Sequence, residues 1–154
     1  MGRTYTVNSG AVALAATVAK SLILVNPSVT FVLAEVGISF DASAASAPCV
    51  VDLYRTTSVT GAAGAAATVV KENANADSAS SNVASSLVVL TAEPASVEIL
   101  RSFYVQPFGG LVVLQFPLGR EPQMSGTSTN RLGIRATMPT GVTGAARAWF
   151  AFEE

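Results

Sequence analysis

Histidine is absent from the 154 residues. That removes the imidazole base of nucleophilic triads, the commonest metal ligand and the usual proton shuttle at neutral pH. The one cysteine, Cys49, lies in the apolar run Pro48-Cys49-Val50-Val51. With no imidazole to activate it, Cys49 reads as a small buried residue, and alone it closes no internal disulfide. Among the carboxylates, Glu35 and Asp41 fall on the polar side of one predicted strand, about 20 Å apart at the rise of a strand, too far for acid–base work together. Glu35 and Asp52 would meet if their strands formed a hairpin, and a solvated face explains that pair equally well. Asn73-Ala74-Asn75-Ala76-Asp77 alternates oxygen-bearing side chains as a calcium loop does, but it lacks the turn glycine and the distal glutamate, so it reads as a polar loop. The glycine groups at Gly61/Gly64, Gly109/Gly110 and Gly141/Gly144 do not join a strand to a predicted helix, so no phosphate cradle is expected. Gly119-Arg120-Glu121-Pro122 puts Arg120 beside a carboxylate, either as a surface ion pair or as an anchor to a partner. No catalytic, cofactor-binding or metal-binding residue is expected.

These residues must be positioned by a chain that is 50% hydrophobic and 12% charged, with nine Lys and Arg against ten Asp and Glu. Such a balance offers no basic surface for nucleic acid, and the hydrophobic share is too high for a wholly disordered chain. The apolar stretch Ala11–Val25 is interrupted by Lys20 and reads as mature protein, neither a membrane span nor a signal peptide. Few charges are available to cover a monomer, which suggests that neighbours share the surface.

Alternation with period two marks the strands. Val29–Asp41 buries Ala34, Val36, Ile38 and Phe40; Phe31 and Leu33 are in the opposite phase, and a bulge near Leu33-Ala34 reconciles the two halves. Cys49–Thr56 alternates again and is expected to pair with it as a hairpin. Ser85–Thr91 is a further strand, Ser96–Gln106 is expected to pair with Leu111–Phe116 through the turn Pro107–Gly110, and Arg131–Met138 and Ala145–Glu153 close the chain. Ala11–Lys20 is compatible with a strand or a short helix. Residues 57–82 form a long Gly/Ala/Ser-rich segment, expected as a mobile loop in which only Thr68–Lys71 has strand character. The pattern predicts a single all-β domain over residues 1–154: an antiparallel β-sandwich or jelly-roll-like barrel of about 7–9 strands. Residues 1–9 are either an ordinary first strand or a short N-terminal arm, in which Arg3 and Tyr5 would be anchors for strand addition to a neighbour. Trp149 falls on the polar side of the last strand, opposite Phe150 and Phe152, and is either a core residue of a two-sided sheet or an interface anchor. Tyr54 and Tyr104 are out of phase in the same way.

Several stretches resemble a family of small virion proteins of tailed phages and prophages: Val36–Asp41 (VGISFD), Val51–Thr56 (VDLYRT), Thr91–Pro94 (TAEP), Gln115–Pro122 (QFPLGREP), Arg131–Arg135 (RLGIR) and Ala148–Glu154 (AWFAFEE). The resemblance runs from about Ala11 to the end. It implies a non-enzymatic structural protein without cofactor, made in the bacterial host cytoplasm and carried on the virion. The type implied is a head decoration (cement) protein on the capsid exterior. Its partners would be the major capsid protein and further copies of itself in a homotrimer, with no nucleic acid or membrane. Arg3, Tyr5, Arg120 and Trp149 would then be capsid or subunit contacts. A tail, fibre or glycan-binding receptor module of the virion is the alternative; the major capsid subunit itself is a third reading, and a carbohydrate-binding or TNF-like sandwich outside the virion is a fourth.

Overall fold

A computed structural model describes residues 3–42, 47–57, 62–72, 86–126 and 130–154. The described chain is all β, without helices, and its strands are β1 (Thr4–Asn8), β2 (Val12–Leu14), β3 (Ala19–Val25), β4 (Phe31–Ala42), β5 (Cys49–Thr56), β6 (Ala63–Ala66), β7 (Val69–Lys71), β8 (Leu87–Ala92), β9 (Glu98–Val105), β10 (Phe108–Gln115), β11 (Gln123–Met124), β12 (Arg131–Thr137) and β13 (Gly144–Glu153). They form two antiparallel sheets. One runs β10-β4-β13-β1-β7, with β2 and β11 as short additions; the other runs β6-β8-β3-β12-β5-β9. The sheets face one another as a sandwich, not a closed barrel.

The pairs β1–β13, β3–β12, β4–β10 and β5–β9 nest inside one another. They are the pairs of one long hairpin rolled onto itself, which is the jelly-roll order. Two sequence-based expectations fail for this reason. β4 and β5 are not a hairpin, because they lie in different sheets, and the same is true of β9 and β10. Each short connection carries the chain across the sandwich instead of back along its neighbour. Glu35 and Asp52 therefore belong to different sheets and cannot act as a pair.

The core lies between the sheets. Along β13, Ala146, Ala148, Phe150 and Phe152 point inward, as the alternation predicts. The bulge expected in β4 is present: Ala151 pairs with Glu35 and Phe152 with Leu33, leaving Ala34 as the extra residue, so Phe31, Leu33, Val36 and Ile38 all reach the core. Tyr5 and Val7 of β1 are wholly buried between β13 and β7. Residues 4–8 are thus a strand inside the sheet, and the arm reading is corrected to an ordinary first strand. Arg3 continues that pairing: Glu154 N–H donates to Arg3 O at 3.0 Å.

A second, smaller apolar cluster lies on the outer face of the other sheet: Leu24, Tyr54 and Leu90, with Ala62, Leu87 and Val97 against them. Leu87 and Leu90 belong to β8, which pairs with β6, so the Gly/Ala run of the 57–82 segment contains the edge strand Ala63–Ala66, where a loop was expected. Val69–Lys71 is a strand as anticipated; the remainder, 58–61 and 73–82, lies outside the described residues. Val89 has φ 51°, a left-handed conformation that a β-branched residue adopts only under constraint. The inversion reverses the alternation of β8, so Val88 joins the main core while Leu90 joins the outer cluster.

Candidate functional site

Two hydrogen-bonded constellations and a cleft with a neighbouring recess are the candidates among the described residues. The first is on the outer face of the sheet containing β5 and β12. Ser21 accepts a backbone role and a side-chain role at once: its N–H donates to Glu93 Oε1 at 2.8 Å and its Oγ–H donates to Glu93 Oε2. Ser21 Oγ is also 2.7 Å from the Tyr54 hydroxyl. A serine has a single proton to give, and here it goes to the carboxylate, so Tyr54 is the donor to Ser21. Burial pushes the Tyr54 phenol well above its ordinary pKa range, and the negative Glu93 adds to the rise. One row further along, Asp52 Oδ2 accepts from Arg135 Nε at 3.0 Å and Asp52 Oδ1 from Ser102 Oγ at 2.7 Å. The Arg135 guanidinium lies 5.7 Å from the Tyr54 ring centroid, within cation–π range. The Tyr54 ring itself lies across Gly133, where a Cβ would come within 2.4 Å of its Cζ.

The carboxylate–serine–tyrosine chain has the hydrogen-bond order of an activated hydroxyl. Ser21 and Tyr54 are nonetheless sealed from solvent. What the chain does is tie Glu93, in the connection between β8 and β9, to β3 and β5.

The second constellation is on the outer face of the opposite sheet. Trp149 lies flat over Gly37, its register partner, where a Cβ would sit 2.0 Å from the indole Cζ2. Its Nε1–H donates to Glu35 Oε1 at 2.8 Å, and Gln115 Nε2 donates to Glu35 Oε2 at 2.9 Å. The bond from Trp149, then that from Gln115, hold the Glu35 carboxyl below its usual pKa. That sign makes the contribution present above the unfolded-state value and lost as pH falls through the lowered one. Trp149 is thus half-buried on a sheet face, neither in the core nor standing free. Gly37→Ala is expected to lift the indole, break its bond to Glu35 and cost about 1–2 kcal/mol. Because Trp149 is the only tryptophan, a red shift of the emission reads this directly. An unchanged spectrum would show that the glycine does not seat the ring.

At one end of the sandwich a cleft of about 470 Å³ is lined by Thr30, Arg55, Glu98, Gln123, Met124 and Asn130 among others. Its charges are the exposed pair Arg55 Nε–Glu98 Oε2 at 2.5 Å. A neighbouring recess is lined by Arg55, Arg101, Arg120 and Glu121.

The four residues singled out as contacts are not brought together. Tyr5 is 0% exposed and packs on Phe152, so its role as an anchor is withdrawn. Arg3 is exposed where the first and last strands meet, Arg120 is exposed on the rim of the recess, and Trp149 is midway along β13. Asn73–Asp77 lies outside the described residues. Sequence reasoning missed Ser21, Glu93, Ser102 and Arg135. The available signal was glycine: Gly37 and Gly133 each interrupt an alternating strand, and each marks an aromatic ring crossing from the neighbouring strand.

Cys49 is buried, and its Sγ–H donates to Val105 O at 3.1 Å. Burial pushes the thiol up to about 11. Native protein at pH 8 is therefore expected to leave Cys49 unlabelled by a thiol reagent, and denatured protein to give one thiol per chain. The raised value also sets a sign: stability is whole below the unfolded thiol value of about 9 and declines as pH rises from there through about 11. Rapid native labelling at pH 8 would overturn both statements.

No family model matches the chain, and the curated proteins contain no match to it.

Proposed function

We propose that this chain is a non-enzymatic structural protein of a tailed-phage virion, a head decoration (cement) protein bound to the outer capsid surface. Its partners in this reading are the major capsid protein and other copies of itself, as a homotrimer. The resemblance over the stretches quoted above supports the virion assignment. The single observation that carries the structural role is how the polar side chains are used. Glu93, Asp52 and Glu35 each accept two hydrogen bonds within the fold, Glu93 both from Ser21 and the other two from two residues each, and so brace the outer faces of both sheets. A sandwich braced on its outside as well as packed inside resists shear, which a clamp across neighbouring shell subunits requires. The polar rim residues Arg3 and Arg120 are suited to shell contacts that give register more than affinity.

The test is the copy number of this chain in purified particles, measured by quantitative mass spectrometry against the shell protein. A ratio near one per shell subunit, or a simple fraction of it, supports decoration, and heads lacking the chain should then open at lower temperature. A few copies per particle would instead favour a tail or receptor-binding module. One feature favours that second reading: the indole of Trp149, seated on Gly37 with its N–H fixed by Glu35, is a flat platform on which a sugar ring could stack.

A further inference from the structure

The outer face of the sheet that holds β4, β10 and β13 carries two features side by side, and strand register sets them in neighbouring rows. One row is Val113 of β10, Gly37 of β4 and Trp149 of β13; the next is Leu111, Ser39 and Arg147. In the first row the indole lies across Gly37 with its N–H held by Glu35, and it is only half-buried. Val113 beside it is 42% exposed, so this row is a flat apolar strip. In the second row a recess of about 140 Å³ is lined by Ser39, Asp41, Arg147 and Ala145, with Ala11 at its side. Arg147 precedes Trp149 by two residues on one strand, so the recess begins about 7 Å from the root of the indole. Asp41 and Arg147 are exposed and opposite in charge, yet they do not bridge. Among the described residues, neither side chain is engaged in a hydrogen bond or an ion pair. Glu35 and Asp52, by contrast, have both carboxylate oxygens committed within the fold.

We infer that this face binds a neutral saccharide, with one pyranose ring stacked on Trp149 and ring hydroxyls held in the recess by Asp41, Ser39 and Arg147. The inference rests on the receptor-binding alternative above and deepens it, by naming the ligand class and the residues that select it. Three observations choose the ligand. A pyranose has an apolar C–H face and a rim of hydroxyls, and here an apolar strip lies directly beside a polar recess. A hydroxyl both donates and accepts, whereas a carboxylate only accepts and a guanidinium only donates. Asp41 and Arg147 together therefore suit neighbouring hydroxyls, with charge-assisted bonds in both directions. Their charges also exclude alternatives: a phosphate or carboxylate ligand meets Asp41, and an ammonium ligand meets Arg147. The stacking surface is set before any ligand arrives. Gly37 seats the indole and Glu35 fixes its N–H, so binding orders little that is not already ordered.

The experiment titrates the purified full chain with the methyl glycosides of glucose, galactose and mannose and follows the emission of Trp149, the only tryptophan. Glycerol at matched concentration controls for solvent effects. At least one glycoside is expected to give a saturable blue shift with a dissociation constant of about 1 mM, the scale for a ligand of that size, and glycerol none. Asp41→Ala and Arg147→Ala, with unchanged circular dichroism spectra, should each weaken binding about 10-fold. Glu153→Ala, an exposed carboxylate further along β13 on the same face, should leave it unchanged. Saturation-transfer NMR on the same sugars reads binding without relying on the indole. No binding of any of the three by either method would overturn the inference, and so would binding to which Trp149 does not respond. Saturable binding that both recess variants leave intact would overturn it as well. Binding by a chain present once per shell subunit would keep the inference and sink the tail reading. A low-copy chain that binds none of the three would overturn the inference and leave the tail reading standing.

Discussion

Phe152→Ala is expected to remove about 3–5 kcal/mol of stability, a large part of what a domain of this size possesses. Phe152 is 0% exposed and stands where three strands meet. It belongs to β13, its ring is 5.8 Å from that of Tyr5 on β1, and it meets Phe31 of β4 edge-on at 5.4 Å. The truncation leaves a cavity lined by two aromatic rings whose backbones are held by ladder pairing, so they cannot collapse into it. The first strand has the most to lose: β1 is paired to β13 on one side and on the other only to the short β7. Urea denaturation followed by circular dichroism measures the loss. Phe152→Leu, which keeps most of the volume, should cost about 1 kcal/mol. Equal midpoints for Phe152→Ala and wild type would mean that the aromatic trio is not the clasp between the ends of the chain.

The elements were largely legible in the sequence, and their partners were not. Alternation reports which face of a strand is dry, and a sandwich dries one face of most strands. β12 and β13 could therefore be read residue by residue, and even the bulge at Ala34 followed from the change of phase between Leu33 and Val36. β3 was lost in the apolar stretch before Asn26 because both its faces are covered: Ile23 and Val25 face the main core and Leu24 faces the outer cluster. β6 was lost because alanine and glycine carry no alternation at all. Pairing failed for another reason. Short turns such as Gln106-Pro107 suggest a hairpin, yet in a rolled hairpin a short connection can equally step across to the other sheet. Among the contact residues, Tyr5 was misplaced because a first strand and a free arm have the same polar–apolar pattern. Glu93 went unseen because one glutamate in a turn gives no signal until the fold brings Ser21 and Tyr54 to it.

Asp52→Ala is expected to cost about 2–3 kcal/mol, the larger share of it from what is left behind and not from the bond removed. Asp52 is 8% exposed and is the shared acceptor for Arg135 and Ser102, so its loss strands a guanidinium whose side chain is only 24% exposed. That partial exposure puts the cost below the full penalty of a dry, unpaired charge. The double change separates the two contributions. If the charge left alone is the problem, then Asp52→Ala with Arg135→Met should be markedly more stable than Asp52→Ala alone, because methionine can lie on the Tyr54 ring without needing a counter-charge. A double-mutant cycle on urea midpoints gives the coupling, expected at about 1–2 kcal/mol. Additive losses would mean that the pair does not act as a unit. In that case, bracing of this face would rest on the Glu93–Ser21–Tyr54 chain alone. Glu93→Gln keeps an acceptor for Ser21 but removes the charge. It separates these cases: the variant should be mild beside an intact Asp52–Arg135 pair and severe where that pair has been removed.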